Sequence, residues 1–221
     1  MPYDQDTGAI LLLLERSDAF EEALQGCFPD EGLILAMPSS QHELVASACS
    51  ISIEHARVLR ASFSLDAPHS GTALLRLQFE ALLRGAWLLF AATPSQIEKL
   101  SATLGQEAEQ AAKNLPSYSV MLEEVVKRGP EGLTAPLVEF NQNTRHALNS
   151  FVHTGIHPLQ RHQQGYPPEL AQTLVKFSNA IMHLAYRILA SLAGSQLLMN
   201  TVTRKFYGFA DCLPVKGQGL Q

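Results

Sequence analysis

The stretch Thr72-Ala73-Leu74-Leu75-Arg76-Leu77-Gln78-Phe79-Glu80-Ala81-Leu82-Leu83-Arg84-Gly85-Ala86-Trp87-Leu88-Leu89-Phe90 is apolar almost all the way round a helical wheel. A helix of that kind has no face suited to water, so it belongs at the centre of a bundle of other helices. Its charges, Arg76, Glu80 and Arg84, recur at i, i+4 and i+8, on a face shared with Leu83 and Trp87. Charges on a central helix must be paired or must line a hydrated cavity, because an isolated buried charge is costly. Two readings stay open: an Arg–Glu–Arg network that fixes packing, or the wall of a ligand pocket that includes Trp87.

Helical periodicity continues along nearly the whole chain. A first helix over 7–26 ends at Gly26 and Pro29. Ser39 or Ser40 caps a second over 40–64, with Glu43 placed as a capping-box partner of Ser40. The central helix over 72–92 stops at Thr93-Pro94, and short helices follow over 95–102, 106–114 and 116–127. A long helix over 134–153 tolerates Pro136 in its first turn and has Gly155 as its C-cap. The segment 156–167, rich in His, Gln, Gly and Pro, reads as a loop whose His157, Arg161, His162 and Tyr166 suit either an anionic ligand or a plain surface connection. Pro168 opens a last long helix to 193, and Ser195 caps a final one to 209. No run alternates β-branched residues between turn signals. The expected fold is all-α: a single helical bundle with four long core helices plus shorter helices, one domain over 1–221. Within it, 94–130 reads as a polar excursion and 212–221 as a frayed tail.

Bulk properties narrow the partners. A formal net charge of −5 argues against a general nucleic-acid binder, though not against a local phosphate site. Cys27, Cys49 and Cys212 lie far apart with no CxxC pair, so reduced core thiols are expected. The apolar run 9–14 follows Asp4 and Asp6 rather than a basic segment and ends at Glu15-Arg16. No stretch approaches the roughly 20 apolar residues that span a bilayer. A cytoplasmic protein without a membrane partner is expected.

Two further polar rows edge apolar stripes. Arg145, Asn149 and His153 recur at i, i+4 and i+8 beside Leu137, Phe140, Leu148 and Phe151. Arginine offers a fixed fork for phosphate, asparagine a neutral donor and histidine a proton carrier. Together they suit metal-free phosphodiester cleavage, and they equally suit a solvated border of the stripe. Asn179, His183 and Arg187 repeat the pattern on the last long helix. The two rows could meet along one seam or face water separately. Neither Glu-x-x-His nor HExxH occurs, and Gly155 and Pro158 interrupt the helix that would align His153 with His157. No P-loop, GxGxxG or GxSxG appears. No metal and no cofactor are expected.

Leu74-Leu75-Arg76-Leu77-Gln78-Phe79-Glu80-Ala81-Leu82-Leu83-Arg84-Gly85-Ala86-Trp87-Leu88 and Leu148-Asn149-Ser150-Phe151-Val152-His153-Thr154-Gly155-Ile156-His157-Pro158 resemble the two signature blocks of a bacterial helical-bundle family with no assigned activity. The likeness extends loosely over 39–193. More remotely, Arg145 followed by polar His146 and then His153 is similar to the HEPN superfamily, helical bundles many of which are metal-independent ribonucleases in stress and phage defence. That resemblance implies a homodimer that binds or cleaves RNA, with Arg145 holding the phosphate and His153 moving the proton of the 2′-hydroxyl. Asn149, which shares their face, would orient the phosphate. Seven residues separate Arg145 from His153, a longer spacing than the HEPN motif has. The rival expectations are a non-enzymatic module that binds a partner protein, its polar rows being structural, and a bundle that binds a small anionic ligand. Arg76, Glu80, Arg84, Trp87, His157, Asn179 and His183 are the candidate ligand contacts.

Overall fold

The computed structural model describes residues 3–215, and the expectation for the tail beyond them lies outside the described residues. Ten α-helices follow one another: α1 (Tyr3–Gln25), α2 (Ser40–Ser64), α3 (Pro68–Phe90), α4 (Pro94–Ser101), α5 (Gln106–Ala112), α6 (Tyr118–Arg128), α7 (Glu131–Val152), α8 (Ile156–Gln164), α9 (Pro168–Leu192) and α10 (Gln196–Gly208). A short 3-10 turn, Ala210–Cys212, closes the described chain. No strand occurs among the described residues, so the fold is the all-α bundle that the periodicity predicts. Five helices, not four, run 22–25 residues, because α1 matches the others in length. No helix among the described residues is long and apolar enough to cross a membrane.

Helices α3 and α9 occupy the middle. Leu75, Phe79, Leu82, Leu83 and Trp87 of α3 are buried, as are Leu174, Val175, Met182 and Ala185 of α9. Helix α2 lies closest to α3, and small residues make that approach possible. A Cβ on Gly85 would sit 3.2 Å from the Cys49 sulfur, and one on Gly71 would overlap the Ser62 hydroxyl. Helices α1 and α10 lean on α9, while α6 and α7 lean on α3.

Local corrections have local causes. Ser39, not Ser40, caps α2: its hydroxyl accepts from the His42 amide, so Glu43 falls outside the capping-box position. The segment expected as a loop over 156–167 is helical from Ile156 to Gln164, since Pro158 falls in the first turn, where a missing N–H costs nothing. Gly155 does not cap α7 with a left-handed backbone; Thr154 takes the positive φ of 52° instead. Gly155 is needed for closeness, as a Cβ there would lie 2.7 Å from the Ser150 hydroxyl. Part of 94–130 is core, because Met121, Leu122 and Val125 of α6 are buried. The expected frayed tail starts too early: Cys212 and Leu213 are buried, held by the Asn179 amide donating to the Cys212 carbonyl at 2.9 Å.

One buried charge network, absent from the sequence reading, fixes α1 on α2 and α9. Arg60 donates to Asp18 at 2.7 Å and to Glu21, while Arg57 donates to the same Glu21 carboxylate at 2.6 Å. Tyr186 of α9 donates to it as well, at 3.4 Å. Arg60 and Glu21 are both almost fully enclosed. Removing one partner of such a pair leaves the other buried without compensation. Glu21→Ala should therefore cost about 3 kcal/mol or more in chemical denaturation, whereas Asp211→Asn, which weakens an exposed pair with Arg16, should cost far less.

Candidate functional site

The rows expected from sequence separate in space. On α3, Arg76 is buried; its Nε donates to Glu80 at 2.7 Å, and its guanidinium lies 4.2 Å from the centre of the Tyr118 ring. Arg84 extends over Trp87 at 5.9 Å rather than continuing the pair, and burial lowers its pKa from the ordinary guanidinium value. Trp87 is fully enclosed, with its indole N–H donating to Glu124 of α6 at 2.7 Å. These four residues sit along the packing of α3 against α6.

On α9, Asn179 and His183 point into the protein. The Asn179 amide donates to Ser17 of α1 at 2.8 Å and to the Cys212 carbonyl. His183 donates from Nε2 to the Val202 carbonyl of α10 at 3.0 Å, between the rings of Phe20 and Phe206. Burial pushes its pKa down to about 4, only partly offset by that hydrogen bond. Arg187 turns to the start of α7 and donates to the Gly132 carbonyl at 3.1 Å. This row therefore ties α9 to α1, α7 and α10 and does not join the row on the outer face of α7.

Arg145, Asn149 and His153 are all exposed on the outer side of α7, opposite buried Phe140, Thr144, Leu148 and Phe151. His153 is the C-cap residue. Arg145 reaches back toward Tyr118, 5.9 Å from its ring centre, so Tyr118 has Arg76 and Arg145 as neighbours. The turn after His153 feeds straight into α8, where His157 is exposed and its amide donates to Ser150 at 3.1 Å.

A cluster of rings forms the corner between the end of α7, the start of α3 and α8. Phe151 meets His69 at 6.1 Å and His157 at 6.4 Å, and His69 meets His162 at 5.6 Å and Tyr166 at 5.5 Å. The Nδ1 atom of His69 is buried without a hydrogen-bond partner among the described residues. Burial, then the neighbouring His162, lowers the His69 pKa. No group of three His, Cys, Asp or Glu side chains among the described residues is placed to hold a metal ion. Beside the corner, under the α8–α9 connection, lies a cavity of about 770 Å³ whose lining includes Arg161, Asp66 and Tyr166.

One signal for this corner was present in the sequence. From Asn141 to Pro168 no Asp or Glu occurs, while two Arg and four His do: Arg145, His146, His153, His157, Arg161 and His162. In a chain with a net charge of −5, that gap concentrates cationic and neutral donors on the second half of α7 and on α8. His69 and Asp66 carry no such signal, because they join the corner only through folding.

The geometry defines an all-helical protein with a histidine-rich corner and an adjoining cavity. The chain belongs to the family of unknown function DUF6988, whose profile matches residues 49–215. No curated protein and no solved structure matches it.

His183 makes the fold sensitive to acid. Unfolded histidine takes a proton near its ordinary pKa, whereas His183 in the folded chain takes one only near about 4. Between those values the unfolded chain holds more protons, so stability rises with pH through that window and levels off above it. The melting temperature should fall by roughly 5 °C from pH 7 to pH 5, and His183→Phe should flatten part of that slope. An unchanged slope in the variant would place the effect elsewhere, with His69 the next group to test because its pKa moves the same way.

Proposed function

We propose that the protein is a HEPN-like helical bundle that binds RNA, and cleaves it without a metal ion, through the outer face of α7. The observation that carries this reading is the carboxylate-free stretch 141–168, which surrounds exposed Arg145, Asn149 and His153 with histidines and no acid in sequence. Acidic neighbours would repel a phosphodiester, and none occurs within this stretch of the sequence. Arg145 supplies the planar fork for a phosphate oxygen, and Asn149, one turn on, a neutral donor. His153, a further turn on, takes the proton of the 2′-hydroxyl. The 2′-oxygen then attacks the adjacent phosphorus, a 2′,3′-cyclic phosphate forms, and the 5′-oxygen leaves and takes a proton from water. As a cytoplasmic homodimer, the arrangement that the HEPN resemblance implies, the protein carries two such faces.

A second reading, a non-enzymatic bundle that binds a partner protein, draws on Arg76, Asn179 and His183. Arg76 Nε, the Asn179 amide nitrogen and His183 Nε2 all donate inside the molecule, which is what structural rows do.

Single-stranded RNA of mixed sequence, in chelator, separates these readings. Wild type should bind with an affinity that falls as salt rises, and Arg145→Ala should reduce the slope of log K against log salt by about 0.7. His153→Ala should lose cleavage by about 100-fold while still binding. Equal cleavage by His153→Ala and wild type would sink the mechanism. Failure of folded wild type to bind RNA at low salt would move the conclusion to the interaction module.

A further inference from the structure

We infer that the cavity under the α8–α9 connection is a binding site for a small amphipathic molecule carrying one anionic group and, near it, a hydrogen-bond donor. This goes beyond the RNA reading: the cavity takes Arg161 and Tyr166 from the stretch 141–168 but none of Arg145, Asn149 and His153, so the two are tested by different variants.

The cavity has the size and the mixed chemistry of a ligand site. Its volume of about 770 Å³ lies within the range of roughly 300–1,000 Å³ typical of small-molecule pockets. Ile10 and Leu14 of α1, Phe63 of α2 and Ala171 of α9 give it apolar walls. Such a surface favours a hydrocarbon or aromatic body by the area it removes from water. Arg161 of α8 and Asp66, just after α2, bring opposite charges to the same lining, and no ion pair joins them among the described residues. Each is available to a ligand: the guanidinium to a carboxylate or phosphate, the carboxylate to an N–H or O–H.

The walls are held in place before any ligand arrives. Tyr166, itself a lining residue, shares a hydrogen bond of 2.5 Å with the Thr72 hydroxyl of α3, and its ring stands edge-on to Phe63. Gly165, with φ of 95°, makes the turn that brings Tyr166 back across the end of the bundle, followed by Pro167 and Pro168. Asp66 has a positive φ of 54°, a conformation that Asp accepts more readily than most residues. Tyr166 and the Asp66 backbone are thus set by turn geometry and, for Tyr166, by contacts to long helices. A preformed pocket avoids the ordering cost that a collapsing one would carry.

The probe is N-dodecanoylglycine, which combines a carboxylate, an amide N–H and an apolar chain, titrated calorimetrically into the full chain. Its methyl ester keeps the chain and the N–H but loses the charge. Wild type should bind one molecule of the acid and prefer it to the ester by about tenfold or more, the range of one charge-assisted contact. Arg161→Gln should remove that preference, and Ile10→Arg should abolish binding of both compounds, with melting curves showing that each variant is folded. The inference is overturned if folded wild type binds neither compound, if acid and ester bind equally, or if Arg161→Gln keeps the preference.

Discussion

Gln78 and Ser178 lock the two central helices, α3 and α9. The Gln78 amide donates to the Ser178 carbonyl at 2.9 Å, and the Ser178 hydroxyl donates back to the Gln78 side-chain oxygen at 2.7 Å. Ser52 of α2 completes the arrangement by donating to the Gln78 backbone carbonyl at 2.9 Å. All three side chains are fully buried. Sliding α3 along α9 by one turn would leave several polar atoms enclosed without partners, at about 1–3 kcal/mol each. Apolar packing alone would tolerate more than one register between the facing apolar sides of these helices. The polar hub chooses one.

From that choice the placement of the outer helices follows. With α3 fixed, Phe79 packs on Phe140 of α7 at 4.7 Å, and Phe140 packs in turn on Phe177 of α9. The inner face of α7 is thereby set, and its outer face must carry Arg145, Asn149 and His153 into solvent. The Ser150–Gly155 contact then turns the chain sharply into α8, which brings His157 and His162 to the same corner as His69. Polar residues in this protein therefore have two distinct fates. Those near the hub, such as Asn179, His183 and Arg76, spend their hydrogen bonds holding helices together. Arg145, Asn149 and His153 on α7 are instead exposed.

The helices were legible because their causes are local. Ser39, Thr93, Ser117 and Ser195 each cap a helix through their own hydroxyls, and Pro94 and Pro168 open helices at first-turn positions. The 3.6-residue stripe of α9 and the all-round apolarity of α3 need no tertiary knowledge to be read. Helix α8 is not legible from composition: His, Gln and Pro at 156–164 suit a loop, yet Pro158 in a first turn permits a helix equally well. Of the candidate site, the row on α7 could be drawn from spacing, but its exposure could not. The similar row on α9 has the same spacing, yet its Asn179 and His183 are buried. Periodicity says that residues share a face and is silent on what covers it.

By itself, then, the sequence determined the class of fold, most helix boundaries, the central place of α3 and the carboxylate-free composition of 141–168, all of which depend on neighbours a few residues apart. Only the tertiary structure decided which polar row is structural and which is outward. It alone built the Glu21–Arg60–Arg57 network, joined Asp66 to Arg161 across one cavity and gathered His69 with His162. Each of those pairs lies tens of residues apart along the chain. Their meeting depends on how long helices cross, which is set by the summed packing of many side chains and a few buried hydrogen bonds rather than by any local pattern.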